Sequence, residues 1–374
     1  MLVNCPKLAL GINTMNVRYY GLDMARAIFM LLGVVLHASQ IFRLDGSWQV
    51  SYHEQNIAFN YLADFIATFR MQGFFIISGF FFLMVYEKYG AKFVLVERCI
   101  RLAIPMIVVG ISFNTLLNMQ SEKFYNMSLA EYILNAGWLR HLWFLGNLLI
   151  YIFIGAIFAK FFIVKITATK TIFILFILAP LAAVIGSRVQ HADILFFSPW
   201  RLFTYLPAFI VGMYLWPQRT TIMNYATLKN AAALFVCYIG IKIILLFIGS
   251  KIGYTLSYYV SEIGNYIFVF SIIIVFLQIA TKKINFIDHW GAASYSIYLL
   301  HLPLLIIFFP FIQYLNLGAF TSFFLLCALV LSASYAFHRW LVSTNNLMQL
   351  LFNGKPLKNW HWLNRLKKLT THTS

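Results

Sequence analysis

Apolar stretches close to the length needed to cross about 30 Å of hydrocarbon recur roughly ten times along this chain, and that recurrence constrains its fold more than any motif. They cover residues 24–42, 59–86, 102–119, 142–162, 171–186, 202–216, 231–249, 263–279, 292–312 and 319–341. The runs are long and continuously apolar. An outer-membrane barrel would instead show short segments of alternating hydrophobicity, so a helical bundle is expected. With 61% hydrophobic and 10% charged residues and a mean hydropathy of +0.80, an ordinary soluble domain is excluded. The expectation is an all-α polytopic membrane protein of about ten transmembrane helices, one domain over 1–374, with its bundle at 24–341.

Loops on the cytoplasmic side of a membrane are enriched in Lys and Arg. Placing both termini in the cytoplasm puts Lys88, Lys92, Arg98, Arg101, Lys160, Lys282 and Lys283 on that side, and leaves Arg43, Lys123, Arg140, Arg188, Arg201 and Lys251 on the other. Much of the formal net charge of +17 then faces anionic lipid head groups. Basic residues scattered over loops argue against a nucleic-acid partner. The tail, residues 345–374, carries Lys355, Lys358, Arg365, Lys367 and Lys368 with Trp360 and Trp362 between them, and reads as a basic amphipathic helix on the inner membrane surface. The first apolar segment is long, contains Arg26 and lacks a small-residue cleavage site after it, so no cleavable signal peptide is expected. Cys5, Cys99, Cys237 and Cys327 are not placed for a structural disulfide, and no metal-ligand spacing joins Cys and His.

Chemistry is therefore sought in polar residues at membrane depth. A charged side chain near a bilayer centre costs on the order of 3 kcal/mol by insertion scales, and is read as functional by default. Arg26 and His37 share the first apolar segment. Eleven residues apart, they lie within roughly 20° of one helix face and about 16 Å apart along the axis. Arg98 and Arg101, three apart, share a face and can fork around a phosphate, although an inner-side Arg pair is also what positive-inside topology produces. Asp64 is a candidate ion-pair partner for Arg26. Lys242 reads as a snorkelling or pairing residue, and His338 and Arg339 as residues meeting head groups or a helix end. Tyr298 and His301 share a face, and Trp143 reads as an aromatic-belt residue or a sugar-stacking platform, with Trp48, Trp138, Trp200 and Arg201 as further candidates.

Several segments, in order, resemble the membrane-bound acyltransferase 3 family: Arg26 to His37 as an R-x10-H pattern, Phe74-Phe75-Ile76-Ile77-Ser78-Gly79-Phe80, Arg98 with Arg101, Ser294-Tyr295-Ser296-Ile297-Tyr298-Leu299-Leu300-His301, and Ser334-Tyr335-Ala336-Phe337. Within that family the segments 30–37, 69–75 and His141-Leu142-Trp143-Phe144-Leu145, and Glu97-Arg98 followed by Ile104-Pro105-Met106, look most like the glucan biosynthesis protein C branch, which succinylates osmoregulated periplasmic glucans.

The resemblance implies an enzyme of the bacterial inner membrane that moves a succinyl or acetyl group from cytoplasmic acyl-coenzyme A to a carbohydrate hydroxyl outside. Acyl-coenzyme A is then a co-substrate, with no permanently bound cofactor, no metal, and the lipid bilayer and an envelope carbohydrate as the remaining partners. His37 is expected as general base, since an imidazole with a pKa near 6.5 accepts a hydroxyl proton at neutral pH. His301 is expected beside it, as a hydrogen-bonding neighbour or a second base. Arg26, Arg98 and Arg101 are expected to hold the donor, Arg26 alternatively clamping helices together. Arg70, His141 and Trp143 are expected on the substrate side, His141 and Trp143 at the outer mouth. The competing reading is a transporter or proton-coupled permease, because intramembrane Arg, His and Asp also mark translocation pathways; the absence of a detectable internal repeat weighs against it. Oligomeric state stays open.

Overall fold

The computed structural model describes residues 18–46, 48–119, 127–163, 174–189, 193–357 and 360. Helix α1 spans Tyr20–Ile41 and α2 spans Ile57–Val109. A short α3, Leu129–Leu134, precedes α4 (Trp143–Ile163), α5 (Ala179–Arg188) and α6 (Pro199–Leu215). Then follow α7 (Leu228–Ile252), α8 (Tyr254–Ile279), α9 (Asn285–Leu315), α10 (Ala319–Phe337) and α11 (Asn346–Asn353). Among the described residues no strand forms beyond an isolated bridge between Ile194 and Phe197.

Six stretches among the described residues are long and apolar enough to cross a membrane: Tyr20–Ile41, Arg140–Lys160, Leu228–Ile252, Tyr254–Ile279, Asp288–Leu315 and Ala319–Val342. The other apolar stretches of the sequence fall on α2, on the broken segment Ile174–Leu178 with α5, and on the 17-residue α6. The expected span at 171–186 begins outside the described residues. Between the expected spans 59–86 and 102–119 the chain is also largely helical, but α2 is two helical stretches that meet at a break at Gly90. Gly90 takes φ 72° and ψ 171°, a conformation open essentially to glycine alone, and the helix resumes on either side.

Helix α1 sits at the centre, packed against α2, α8, α9 and α10. Helix α6 crosses α2 very closely. A Cβ on Gly79 would collide with the Phe209 carbonyl, and one on Gly212 with the Ile76 carbonyl. Small residues at the crossing allow that approach, which is how membrane helices gain dispersion contact when lipid offers no hydrophobic drive. The largest apolar core gathers Phe75, Phe82, Tyr151 and Phe209 from α2, α4 and α6, with Trp216 just beyond. A second core joins Phe42, Tyr52 and Phe59 to Phe323 of α10. It folds the 43–56 loop back onto α1, where Tyr52 N–H donates to the Ile41 carbonyl at 2.9 Å.

Of the tail expected as a basic amphipathic helix over 345–374, the structure describes residues 345–357 and 360. Asn345 caps α11 by accepting from the Leu347 and Met348 amides, and α11 packs against α2 and α9 with Leu350 and Phe352 buried. Phe352 meets Phe113 and Phe337. Lys358, Trp362, Arg365, Lys367 and Lys368 lie outside the described residues, as does Cys5; Cys99, Cys237 and Cys327 are free thiols.

Candidate active site

Helix α1 carries one polar station near each end. At the first, Arg26 pairs with Asp23 one turn earlier at 3.3 Å and lies over the Phe81 ring at 5.3 Å. The Asp64 partnership considered from sequence does not form. Asp64 pairs at 3.1 Å with Arg43, which also binds Asp45 at 2.9 Å. Arg98 and Arg101 reach the same region as Arg26 because the resumed part of α2 returns past the start of α1. Both arginines contact Glu97, at 3.2 and 3.5 Å.

Three cavities open at this basic end, one of about 230 Å³ lying between Arg18, Arg26, Arg98, Arg101 and Phe81. A second, of about 190 Å³, has Arg26, Arg98, Arg101 and Lys355 in its wall and runs inward to Ser78, Phe74 and Phe144. No carboxylate lines it among the described residues. The third, of about 350 Å³, is bounded by Arg18, Arg26, Arg101 and Lys282 together with Asp23 and Asp288. Arg26 and Arg101 belong to all three, standing at their divide. In the second, four phosphate-seeking cations around a pocket whose deeper wall is aromatic suit a ligand with an anionic head and an apolar or amphipathic arm.

The deep end of that pocket leads toward the second station. Phe144 leans edge-on against Phe74, with ring centres 4.7 Å apart, and against Tyr298 at 5.4 Å. Beyond Tyr298 lie three imidazoles. The ring centre of His301 is 5.2 Å from His37, 5.1 Å from His141 and 5.6 Å from Tyr298. His37 comes from α1, His141 from the turn Arg140–Leu142 ahead of α4, and His301 from α9. Because Tyr298 and His301 are three apart on α9, one helix face delivers both.

Hydrogen bonds orient these rings. His37 Nδ1 lies 3.1 Å from Gln40 Oε1. An amide oxygen only accepts, so Nδ1 carries the proton and Nε2 keeps a lone pair. His141 Nε2 donates to the Leu299 carbonyl at 3.1 Å, and the Tyr298 hydroxyl donates to the His141 carbonyl at 2.6 Å. His301 Nδ1 donates to the Tyr298 carbonyl at 2.5 Å. The opposite nitrogens, His141 Nδ1 and His301 Nε2, are buried without a hydrogen-bond partner among the described residues. Orphaned buried acceptors are costly and ask for a partner that arrives with a ligand. Trp48 stacks on His37 with ring centres 6.0 Å apart and planes 25° apart.

Arg70 joins this cluster from α2. Its guanidinium rests against the bare backbone of Gly33, where a Cβ would stand 3.2 Å from Nη1. Gly33 is one turn before His37. Arg70 is buried, and among the described residues no carboxylate pairs with it. Its cation is therefore available to a negative charge near His37.

His141, expected at the outer mouth, is buried within the imidazole cluster. Trp143 packs on α6: the Arg201 guanidinium sits 4.1 Å from its ring centre, and it stacks with Tyr205 at 5.9 Å and 23°. His338, expected to meet head groups or a helix end, caps the end of α10, where it is buried and shares a hydrogen bond of 2.9 Å with the Ser296 hydroxyl. Lys242 pairs as one of its two readings anticipated, donating to Ser261 and Asn265 at 2.7 and 3.1 Å. Among the described residues no three His, Cys, Asp or Glu side chains converge as metal ligands.

A model of the acyltransferase domain matches residues 19–339, nearly the whole bundle. The chain belongs to the acyltransferase 3 family. As a member it is an acyltransferase, and that decides between the enzyme and transporter readings of its intramembrane Arg and His. Its sequence is similar to glucans biosynthesis protein C of Escherichia coli O139:H28 (strain E24377A / ETEC), 27% identical over 388 aligned residues that cover 91% of this chain and 95% of that protein. It is also similar to glucans biosynthesis protein C of Escherichia coli K12, 36% identical over 138 residues covering 34% of this chain and 35% of that one. No solved structure matches this acyltransferase.

Proposed function

We propose that this acyltransferase moves a succinyl or acetyl group from cytoplasmic acyl-coenzyme A to a hydroxyl of an envelope carbohydrate such as an osmoregulated glucan, within a ten-span fold of the bacterial inner membrane with both termini inside. One observation carries the reading: a cation-walled cavity and a cluster of three imidazoles, joined by an arginine with no carboxylate partner among the described residues, lie toward opposite ends of α1, with the packed rings of Phe74, Phe144 and Tyr298 between them. The similarity to glucans biosynthesis protein C, whose name speaks of glucans, supports a carbohydrate acceptor.

In this reading Arg26, Arg98 and Arg101 hold the donor phosphates, and the pantetheine arm runs past Phe74 and Phe144. The thioester carbonyl then meets His37. Nε2 of His37 takes the proton of the acceptor hydroxyl as its oxygen attacks, forming the C–O bond. Negative charge collects on the carbonyl oxygen, where Arg70 offsets it. As the intermediate collapses the C–S bond breaks, and the proton passes from His37 to the departing sulfur. His301 and His141 hold the acceptor through their free ring nitrogens, and Trp48 buttresses the His37 ring. Replacing His37 with Ala is expected to lower transfer by about 10²- to 10⁴-fold while coenzyme A binding stays at the wild-type level. Normal acceptor modification by a folded His37→Ala protein would remove His37 from the role of base.

A further inference from the structure

The matched acyltransferase domain ends at residue 339, yet the wall of the 190 Å³ cavity includes Asn353 and Lys355. We infer that the segment 346–355 is a clasp that completes the donor site, with Lys355 contributing a phosphate-binding cation beside Arg26, Arg98 and Arg101. This inference rests on the reading of the basic end as the donor site.

Three features hold the segment to the bundle. The Ser296 hydroxyl of α9 is shared between His338 Nδ1 at 2.9 Å and the Phe352 carbonyl at 3.3 Å, tying the end of α10 and the end of α11 to one point. Phe352 is wedged between Phe113 and Phe337, with ring centres 6.3 and 5.1 Å away. Gly354 then ends α11 in the left-handed region, φ 59°, its N–H donating to the Leu350 carbonyl at 3.1 Å.

Gly354 is also the point of closest approach. A Cβ there would overlap the backbone of Arg101, lying 2.6 Å from its carbonyl carbon. The carbonyl of that same Arg101 accepts from the Tyr295 hydroxyl at 3.0 Å. Glycine thus satisfies two demands at once: a positive φ and a contact with no room for a side chain. Its consequence is positional. The residue after it, Lys355, is set beside the arginine whose backbone Gly354 touches, and its N–H is fixed by the Gln349 carbonyl at 3.1 Å. An ammonium on a flexible stem serves there as a mobile point charge, complementing the fixed forks of the arginines.

The test is equilibrium binding of coenzyme A and of 3′-dephospho-coenzyme A to the purified full chain in lipid nanodiscs. Lys355→Ala is expected to weaken coenzyme A about three- to ten-fold, with Lys355→Arg restoring most of it, which a packing role would not do. A loss confined to coenzyme A assigns the lysine to the 3′-phosphate, and an equal loss for both assigns it to the pyrophosphate. Gly354→Ala leaves the lysine in place but shifts its backbone, and is expected to lose a comparable factor; unchanged affinity there would remove the positioning role of the glycine. Wild-type affinity in Lys355→Ala, beside an Arg98→Ala/Arg101→Ala protein that has lost binding, overturns the clasp and leaves the donor site standing. Wild-type affinity in the double variant as well overturns the donor reading itself.

Discussion

Arg70 is the residue whose environment demands most explanation. A guanidinium buried against Gly33 without a carboxylate is held at a cost unless a negative charge visits. Arg43, just beyond the end of α1, already binds Asp45 and Asp64 and has no such need. Arg70→Gln is expected to lower kcat for succinyl and acetyl transfer alike, by about 10²- to 10³-fold, as loss of an oxyanion partner does. Rates measured with both donors check this. A loss confined to the succinyl donor would place Arg70 on the acyl carboxylate instead. His37, Arg26 and Arg70 were legible in the sequence because a titratable or charged residue inside an apolar run stands out. Trp48 was only one of several aromatic candidates, since its stack on His37 depends on a loop folding back through Tyr52, which no local pattern announces. His141 was found, just ahead of α4 where the structure has it, but not its place in the imidazole cluster. Its burial follows from the Tyr298 hydroxyl capturing its carbonyl across 157 residues of chain, a contact invisible to periodicity.

At the scale of elements, α1 works as a ruler. Its helical rise sets the cation end and the imidazole end about 16 Å apart on one face, so the R-x10-H spacing is in itself a distance. The apolar runs named most elements, and the failures have specific physical causes. Between the second and third expected spans, where only the helical entrance with Arg98 and Arg101 was read, helix runs up to a break at Gly90 and starts again after it. Tail helix α11 packs through Phe352 on Phe113 and Phe337, the first of which lies far away in sequence, so no local pattern announces that contact. Gly90→Val is expected to lower stability by about 1–3 kcal/mol, seen as a lower apparent melting temperature, because valine is excluded from that conformation. Gly212→Leu is expected to do more: the side chain meets the Ile76 carbonyl, and monodisperse protein in detergent should be largely lost. A Gly212→Leu protein that elutes and melts like wild type would contradict the close crossing of α2 and α6.

For the whole molecule, the arrangement answers how an acyl group can cross a bilayer without its carrier. Cations suited to phosphate sit at one end of the bundle and the imidazoles at the other, so under the proposed reaction only the thioester arm would enter the protein. Positive charge at one end, apolar walls between and imidazoles beyond make the two ends chemically unlike, which suits the proposed reaction, whose substrates would meet from opposite sides. The most direct test is transfer in sealed proteoliposomes of known orientation, with labelled acyl-coenzyme A confined to the basic side and a periplasmic glucan to the other. The account predicts labelled glucan on the far side, no coenzyme A there, and no product with His37→Ala. Product formed only when donor and glucan share a compartment, or label released across the membrane without any glucan, would contradict it.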